Sequence, residues 1–497
     1  MLLITKLRQP KVLLMKWGLR GPRVLLLFAT FCIVVIVIRT FIRGHFPIYL
    51  FKDADAEAAN GHGKLYCNKP GNVVGKEGHL SFFKGGKRNY QLQQVYIVIR
   101  HGDRAPIMLN TFPNSRPVEV PCKFNKSWTF YDDLVQIKKG AFNFRVSGHK
   151  THPILQERDT CLGGQLTPIG FAQHLNNGKF LKRQYSDFLG SINDPSMILS
   201  MSTAYSRTVQ SAASLLFGIF GDRFKDRKME IQVQDDKYRE THFLKDGQGD
   251  NIYCPALAQK LKDIWKVDEL HDLRIKIDPI RKKYAEIFDS HRGEIPALDR
   301  IVDILYVTMC HGQLFPKAPK GDISYKLAKT SFELADHLIS LKHQQTAELQ
   351  TLAILSQIVH KTAKRIKSLS EKDSNWHKLV IFSAHDTVIA PLLQMLGAHN
   401  WKWPPYASRV VFEVWKDSDN KPEEAKDLDQ FLVFRSYFIR VLYNGNDVTS
   451  MVKFCSGQVI ENQFCPFSAF VKYVADGQFE GDNYFERITN LCVGTDL

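Results

Sequence analysis

Val95-Tyr96-Ile97-Val98-Ile99 constrains the fold more than any other stretch of the chain. Five apolar, mostly β-branched residues run without a break into Arg100-His101-Gly102-Asp103-Arg104-Ala105-Pro106. A run this short and this apolar reads as a central strand buried on both faces, which calls for an α/β fold. The end of such a strand opens onto the crest of the sheet, where open α/β folds bind ligands. Charged, titratable side chains therefore stand where a ligand would be held.

The residue types narrow the chemistry. Arg100 and Arg104 present planar forks that suit phosphate oxygens and would repel a metal cation. Their charge also lowers the pKa of His101, so a ring nitrogen stays free to attack phosphorus. Gly102 lets the backbone turn, and Pro106 stiffens the exit. The plain alternative is a strand that ends in a solvated Arg/His/Asp/Arg loop.

Two further strand ends bear on that choice. Met197–Ser200 reads as a strand followed by a helix with Val209, Ala212, Ala213, Leu216 and Phe220 on one face, and Arg207 falls in its first turn. Lys378–Ser383 reads as a third buried strand and delivers His385 and Asp386 to its end. Thr167 caps a helix that opens with Pro168. Val410–Trp415 and Phe431–Tyr443 read as an antiparallel edge. The expected fold is thus a doubly wound mixed sheet with helices on both faces, formed by residues 91–221 and 376–497. An insertion at 107–163 supplies pocket wall, and a mostly helical cap spans 222–375, with 346–369 its longest helix.

A phosphate monoester needs cations around its nonbridging oxygens, a nucleophile in line with the leaving oxygen, and an acid to protonate that oxygen. The three strand ends supply each. Arg100, Arg104, Arg207 and His385 are the candidate phosphate ligands, His101 the nucleophile, and Asp386 the proton donor and later the base. Asp386 must begin protonated, and an ordinary aspartate has a pKa of ~3.9, so activity should favour acid. No metal cofactor is needed. The competing metal site of His101, Asp103, His385 and Asp386 would set a dication beside three arginines.

Arg100–Pro106, Gly164–Gly170, Ser206-Arg207-Thr208 and Ser383–Thr387 occur in an order that resembles the histidine acid phosphatases, from about residue 90 to the C-terminus. That resemblance implies a doubly wound α/β core with a helical cap and places the same roles on the same residues. A broad-specificity acid phosphatase is the enzyme-class rival. A lumenal scaffold that kept the fold without turnover would be expected to lack one of Arg100, His101, Arg104 or Asp386, and all four are present.

The net charge of +16 would suit a nucleic-acid binder if it formed a stripe. Half of it instead comes from Lys6, Arg8, Lys11, Lys16, Arg20, Arg23, Arg39 and Arg43, and no acidic residue precedes Asp53. These cations flank an apolar run from Val24. The pattern predicts a cytosolic tail at 1–23, a signal anchor at 24–42 and a lumenal stem at 43–90, with the membrane as a partner through one N-terminal helix. A cleaved signal peptide competes, but the only nearby Ala-x-Ala pattern lies far beyond the apolar run. Nine cysteines include Cys32 within the anchor, and the other eight suit disulfides in an oxidising lumen. Cys455 with Cys465 is the one local pairing expected. Asn125-Lys126-Ser127 is a glycosylation acceptor.

Overall fold

The structure is a computed structural model. It describes residues 65–497 apart from 72, 81–88, 111, 127–128, 139–143, 148–157, 222, 225, 236–242, 244–252, 369–375, 420–431, 461–462, 477–483 and 494–497. The tail, the anchor at 24–42 and the stem up to residue 64 lie outside the described residues. Among the described residues no helix is long and apolar enough to cross a membrane.

The strands are β1 (Tyr90–Arg100), β2 (Pro121–Cys122), β3 (Phe144–Ser147), β4 (Arg158–Thr160), β5 (Ile198–Ser202), β6 (Met229–Val233), β7 (Leu379–Ala384), β8 (Arg409–Asp417), β9 (Tyr437–Tyr443), β10 (Asn446–Asp447) and β11 (Cys465–Pro466). Among the described residues the main sheet runs β10-β9-β8-β1-β7-β5-β6-β3, with β11 added to β9. β1, β7, β5, β6 and β3 run parallel to one another, whereas β8 pairs antiparallel with both β1 and β9. The fold is a mixed α/β sheet with helices, as the buried strands predict.

Side chains of β1 alternate between two cores because successive residues in a strand point to opposite faces. Val95, Ile97 and Ile99 pack with Leu175 and Leu181 of helix Pro168–Gln184 and with Val209 and Leu216 of helix Ser206–Phe220. Tyr96 and Val98 pack on the other face with Leu352 and Ile358 of helix Tyr325–Ser368 and with Val388 and Leu392 of helix Asp386–Leu396. Burial of this kind contributes about 1.5–3 kcal/mol per large side chain. A third core gathers helices Asp268–Ile287 and Leu298–Cys310 with the first half of helix Tyr325–Ser368.

Three features differ from the sequence reading. Met229–Val233 falls in the span read as helical, yet it is β6 and pairs with both β5 and β3. Its alternation is short and half exposed, and it holds only when neighbours hydrogen-bond to it. The 44-residue helix Tyr325–Ser368 begins well before 346, and its two halves serve different cores. Within the segment read as stem, Tyr66 and Cys67 are buried in the third core.

The eight cysteines form Cys67–Cys310, Cys122–Cys161, Cys254–Cys492 and Cys455–Cys465, the last as expected. Cys67–Cys310 and Cys254–Cys492 close loops of 243 and 238 residues. In the chain-entropy account such long loops stabilise by roughly 5 kcal/mol each. Asn125 is exposed, and Ser127 of its acceptor sequence lies outside the described residues.

Candidate active site

β1, β7 and β5 are adjacent and parallel, so their C-terminal ends share one crest. The chain stays stitched together beyond them: the His101 amide donates to Ala384 O at 2.9 Å and the Thr203 amide to Ser383 O at 3.2 Å. The loop after β1 lies flat on the start of helix Pro168–Gln184. A Cβ at Gly102 would come within 2.4 Å of Gly170 O, and one at Gly170 within 2.2 Å of Asp103 O, so both positions require glycine.

His101 is 2% exposed, and its Nδ1 lies 2.8 Å from Gly102 O. A carbonyl only accepts, so Nδ1 carries the proton and the neutral ring has its lone pair on Nε2. Burial, then Arg207, Arg100 and Arg104, hold the imidazole well below its ordinary pKa. A neutral imidazole therefore persists in acid.

Three arginines surround it. Arg100 is fully buried; its Nη2 donates to Asp386 Oδ2 and to Tyr66 Oη, both at 2.9 Å, and its Nη1 donates to Pro404 O at 2.5 Å. Its guanidinium also lies 5.1 Å from the Tyr66 ring centre and 4.5 Å from that of Tyr406. Arg104 Nη2 pairs with Asp303 Oδ1 at 2.7 Å. Burial works to lower the Arg104 pKa, and Asp303 outweighs it, so the charge is secured. Arg207 stacks 4.3 Å over Tyr205, and burial with Arg104 brings its pKa down to about 10, still cationic at neutral pH. Among the described residues the buried Nε of each arginine has no acceptor. Buried donors seldom stay unpaired, and three such donors around one histidine make a site that suits an oxyanion.

His385 Nδ1 accepts from Arg207 Nη2 at 3.4 Å, and its Nε2 lies 2.9 Å from Thr203 Oγ1. Asp386 Oδ1 accepts from the Thr387 amide at 2.9 Å, and Oδ2 accepts from Trp403 Nε1 at 2.7 Å besides Arg100. Burial would raise the Asp386 pKa, but Arg100 and Trp403 together hold it below the ordinary carboxylate value. A bound phosphate dianion competes for Arg100 and repels the carboxylate, which pushes the pKa back up. All six residues singled out in the sequence thus meet at one crest.

Residues from outside those motifs, among them Gln173, His311, Tyr66 and Asp303, hold the crest in place. Asp103 Oδ2 accepts from Thr167 Oγ1 at 2.5 Å and from His311 Nε2 at 2.8 Å, and the Asp103 amide donates to Gln173 Oε1 at 2.7 Å. Burial disfavours the imidazolium of His311, yet Asp103 outweighs this and raises its pKa. Tyr66 stacks on Tyr306 with centroids 3.6 Å apart. Because Cys67 adjoins Tyr66 and Cys310 adjoins His311, one disulfide ties together the two segments that grip Arg100 and Asp103. Only Asp303 left a local signal, as an acid enclosed by Val302, Ile304 and Leu305 in an apolar helix.

Tyr66→Phe keeps the aromatic stack and removes one acceptor from Arg100. Hydrogen bonds to charged groups contribute about 1.5–3 kcal/mol, so kcat/KM is expected to fall about 10- to 100-fold. Steady-state kinetics beside a thermal melt check this: a melting point unchanged within a few degrees with unaltered kinetics would remove Tyr66 from the site.

The histidine phosphatase superfamily (branch 2) matches residues 91–279 and 332–444. The chain is 28% identical over 436 residues to 2-phosphoxylose phosphatase 1 of Xenopus tropicalis, covering 84% of this chain and 80% of that protein. It is 26% identical over 348 residues to prostatic acid phosphatase of Bos taurus, covering 67% and 76%. Among solved structures it is similar to a Bifidobacterium longum multiple inositol polyphosphate phosphatase, with 11% identity, a TM-score of 0.49 and coverage of 84% and 98%. The matched family segments contain Arg100, His101, Arg104, Arg207, His385 and Asp386, while Asp303 and His311 lie between them. The chain belongs to branch 2 of the histidine phosphatase superfamily and is a phosphoric monoester hydrolase.

Proposed function

We propose that the protein removes the 2-phosphate from xylose in the glycosaminoglycan–protein linkage region of proteoglycans. The substrate rests on the match, across 84% of the chain, to a protein called 2-phosphoxylose phosphatase 1. The reaction rests on a neutral, buried His101 whose Nδ1–H is tied to Gly102 O among three arginines. His101 Nε2 attacks phosphorus while Arg100, Arg104 and Arg207, with His385 beside Arg207, hold the nonbridging oxygens. Asp386 gives its proton to the departing sugar oxygen as the P–O bond breaks. The Asp386 carboxylate then takes a proton from water, whose oxygen displaces His101 and releases inorganic phosphate.

In this reading the α/β core at 91–221 and 376–497, its sheet extended by β6 and β3, carries the chemistry, and the helical remainder of 222–375 shapes the substrate pocket with the rest of 107–163. The protein is a single-pass type II protein of the Golgi membrane with a lumenal catalytic domain, supported by the basic tail, the apolar run at 24–42, four disulfides and an exposed Asn125. A broad-specificity acid phosphatase is the second reading, favoured by the match to the bovine prostatic enzyme. Phosphate release from a xylose 2-phosphate glycopeptide and from a generic aryl phosphate separates the two. The proposal expects a clear preference in kcat/KM for the glycopeptide, and equal or lower turnover of it supports the rival.

A further inference from the structure

A cavity of about 940 Å³ lies beside the catalytic centre without including it. His101, Arg104, Arg207 and His385 are not among its lining residues, but Tyr66, Trp403 and Pro405 are. The same wall serves both sides. Tyr66 accepts from Arg100, Pro404 O accepts from Arg100, and Trp403 Nε1 donates to Asp386. Trp403 is fixed from the cavity side as well, since its amide donates to Asp336 Oδ1 at 2.9 Å and Asp336 lines the cavity.

Chemistry gives this placement a direction. The acid that protonates the leaving oxygen must lie on the leaving-group side of phosphorus. That acid is Asp386, and the tryptophan bonded to it forms part of the cavity wall. The cavity thus lies on the side where the part of a substrate beyond its phosphorylated sugar would stand. The lining suits a neutral saccharide: Tyr325 and Trp403 offer ring faces, while Asn68, Asn400 and Asn446 offer amides that both donate and accept. The charged lining is mixed: Glu333 and Asp336 stand among Lys69, Lys329, Lys402 and Arg409, with Lys329 facing Glu333 at 3.9 Å and Arg409 paired to Glu77.

We infer that this cavity is a saccharide subsite that takes the neutral sugars attached to the phosphorylated one, with Trp403 at its threshold. The assignment rests on the proposed phosphoxylose activity for its substrate and on the cavity for its place. It makes the enzyme one that reads the glycan around the phosphate rather than the phosphate alone.

Gly71 gives a direct test. It lines the cavity, it is exposed, and a Cβ there meets nothing closer than Lys69 O at 3.6 Å. Gly71→Phe places a ring at the cavity lining without touching the catalytic residues. With the full chain, three substrates are compared: an aryl phosphate, a methyl xyloside 2-phosphate, and the same xyloside extended by neutral sugars. Extension is expected to lower KM about tenfold in the wild type, equivalent to about 1.4 kcal/mol. Gly71→Phe and Tyr325→Ala should erase that advantage and leave aryl phosphate turnover within about twofold. Calorimetry with the extended glycan lacking phosphate supplies the second arm: binding to the wild type and loss of binding in Gly71→Phe are expected. An extended glycan that neither binds nor gains over the methyl xyloside overturns the subsite, as does an advantage that survives both variants. Calorimetric binding without turnover of either phosphoxyloside supports the subsite and rejects the phosphoxylose reading.

Discussion

His101→Ala is expected to lower kcat at least about a thousandfold for every phosphomonoester, because in the proposed mechanism it removes the nucleophile rather than a contact to one substrate. The fold should tolerate the change. The His101 side chain bonds within its own loop, to Gly102 O, and the loop is held independently by the His101 amide on Ala384 O and the Asp103 amide on Gln173. The three arginines keep their partners Asp386, Asp303 and Tyr205. The variant should therefore still bind inorganic phosphate competitively while failing to turn over. Steady-state kinetics with a phosphate-binding titration check both halves, and wild-type-like turnover would remove His101 from the nucleophile's role.

Asp386→Asn should act differently on different leaving groups. Loss of a positioned proton donor lowers rates about 10²- to 10⁴-fold, and the loss should be largest for sugar or alkyl phosphates, whose alkoxides leave poorly without a proton. An activated aryl phosphate should lose much less in its first step, so its slow step becomes attack of water on the phosphorylated histidine. The pH dependence follows from the same geometry. His101 is held well below its ordinary pKa, so acid does not consume the nucleophile until far below the usual histidine range. Asp386 is depressed in the unliganded enzyme, so kcat/KM should fall as pH rises from the acid side. Bound phosphate raises the Asp386 pKa, and the corresponding fall in kcat should sit at higher pH. Parallel pH profiles of the two parameters check this order, and the Asn variant should lose the limb in both.

What was readable in the sequence and what was not divide along a physical line. Val95–Ile99 and Leu379–Phe382 are apolar on both faces, so their burial and the charged residues beyond their ends could be inferred locally. Thr167 and Pro168 announced a helix start, and Thr167 Oγ1 does accept from the Gly170 amide. The parts that hold the site were not legible, because each is a contact across the chain. Tyr66 reaches Arg100 from a segment with no periodicity, fixed by a disulfide to residue 310 and a stack on Tyr306. His311 and Asp303 reach the loop after β1 from a helix separated from it by about two hundred residues. β6 was missed because its order derives from the strands on either side. Local pattern thus disclosed the reactive groups, and tertiary pairing supplied what orients them.

The central claim is a covalent phosphoryl group on one nitrogen of His101. Rapid quenching of the Asp386→Asn variant in base, during turnover of a labelled aryl phosphate, followed by peptide mapping, tests it most directly. The account predicts a base-stable, acid-labile phosphoryl group on His101 that forms faster than phosphate is released. Label on any other residue, or turnover with no covalent phosphoryl group at all, would contradict it.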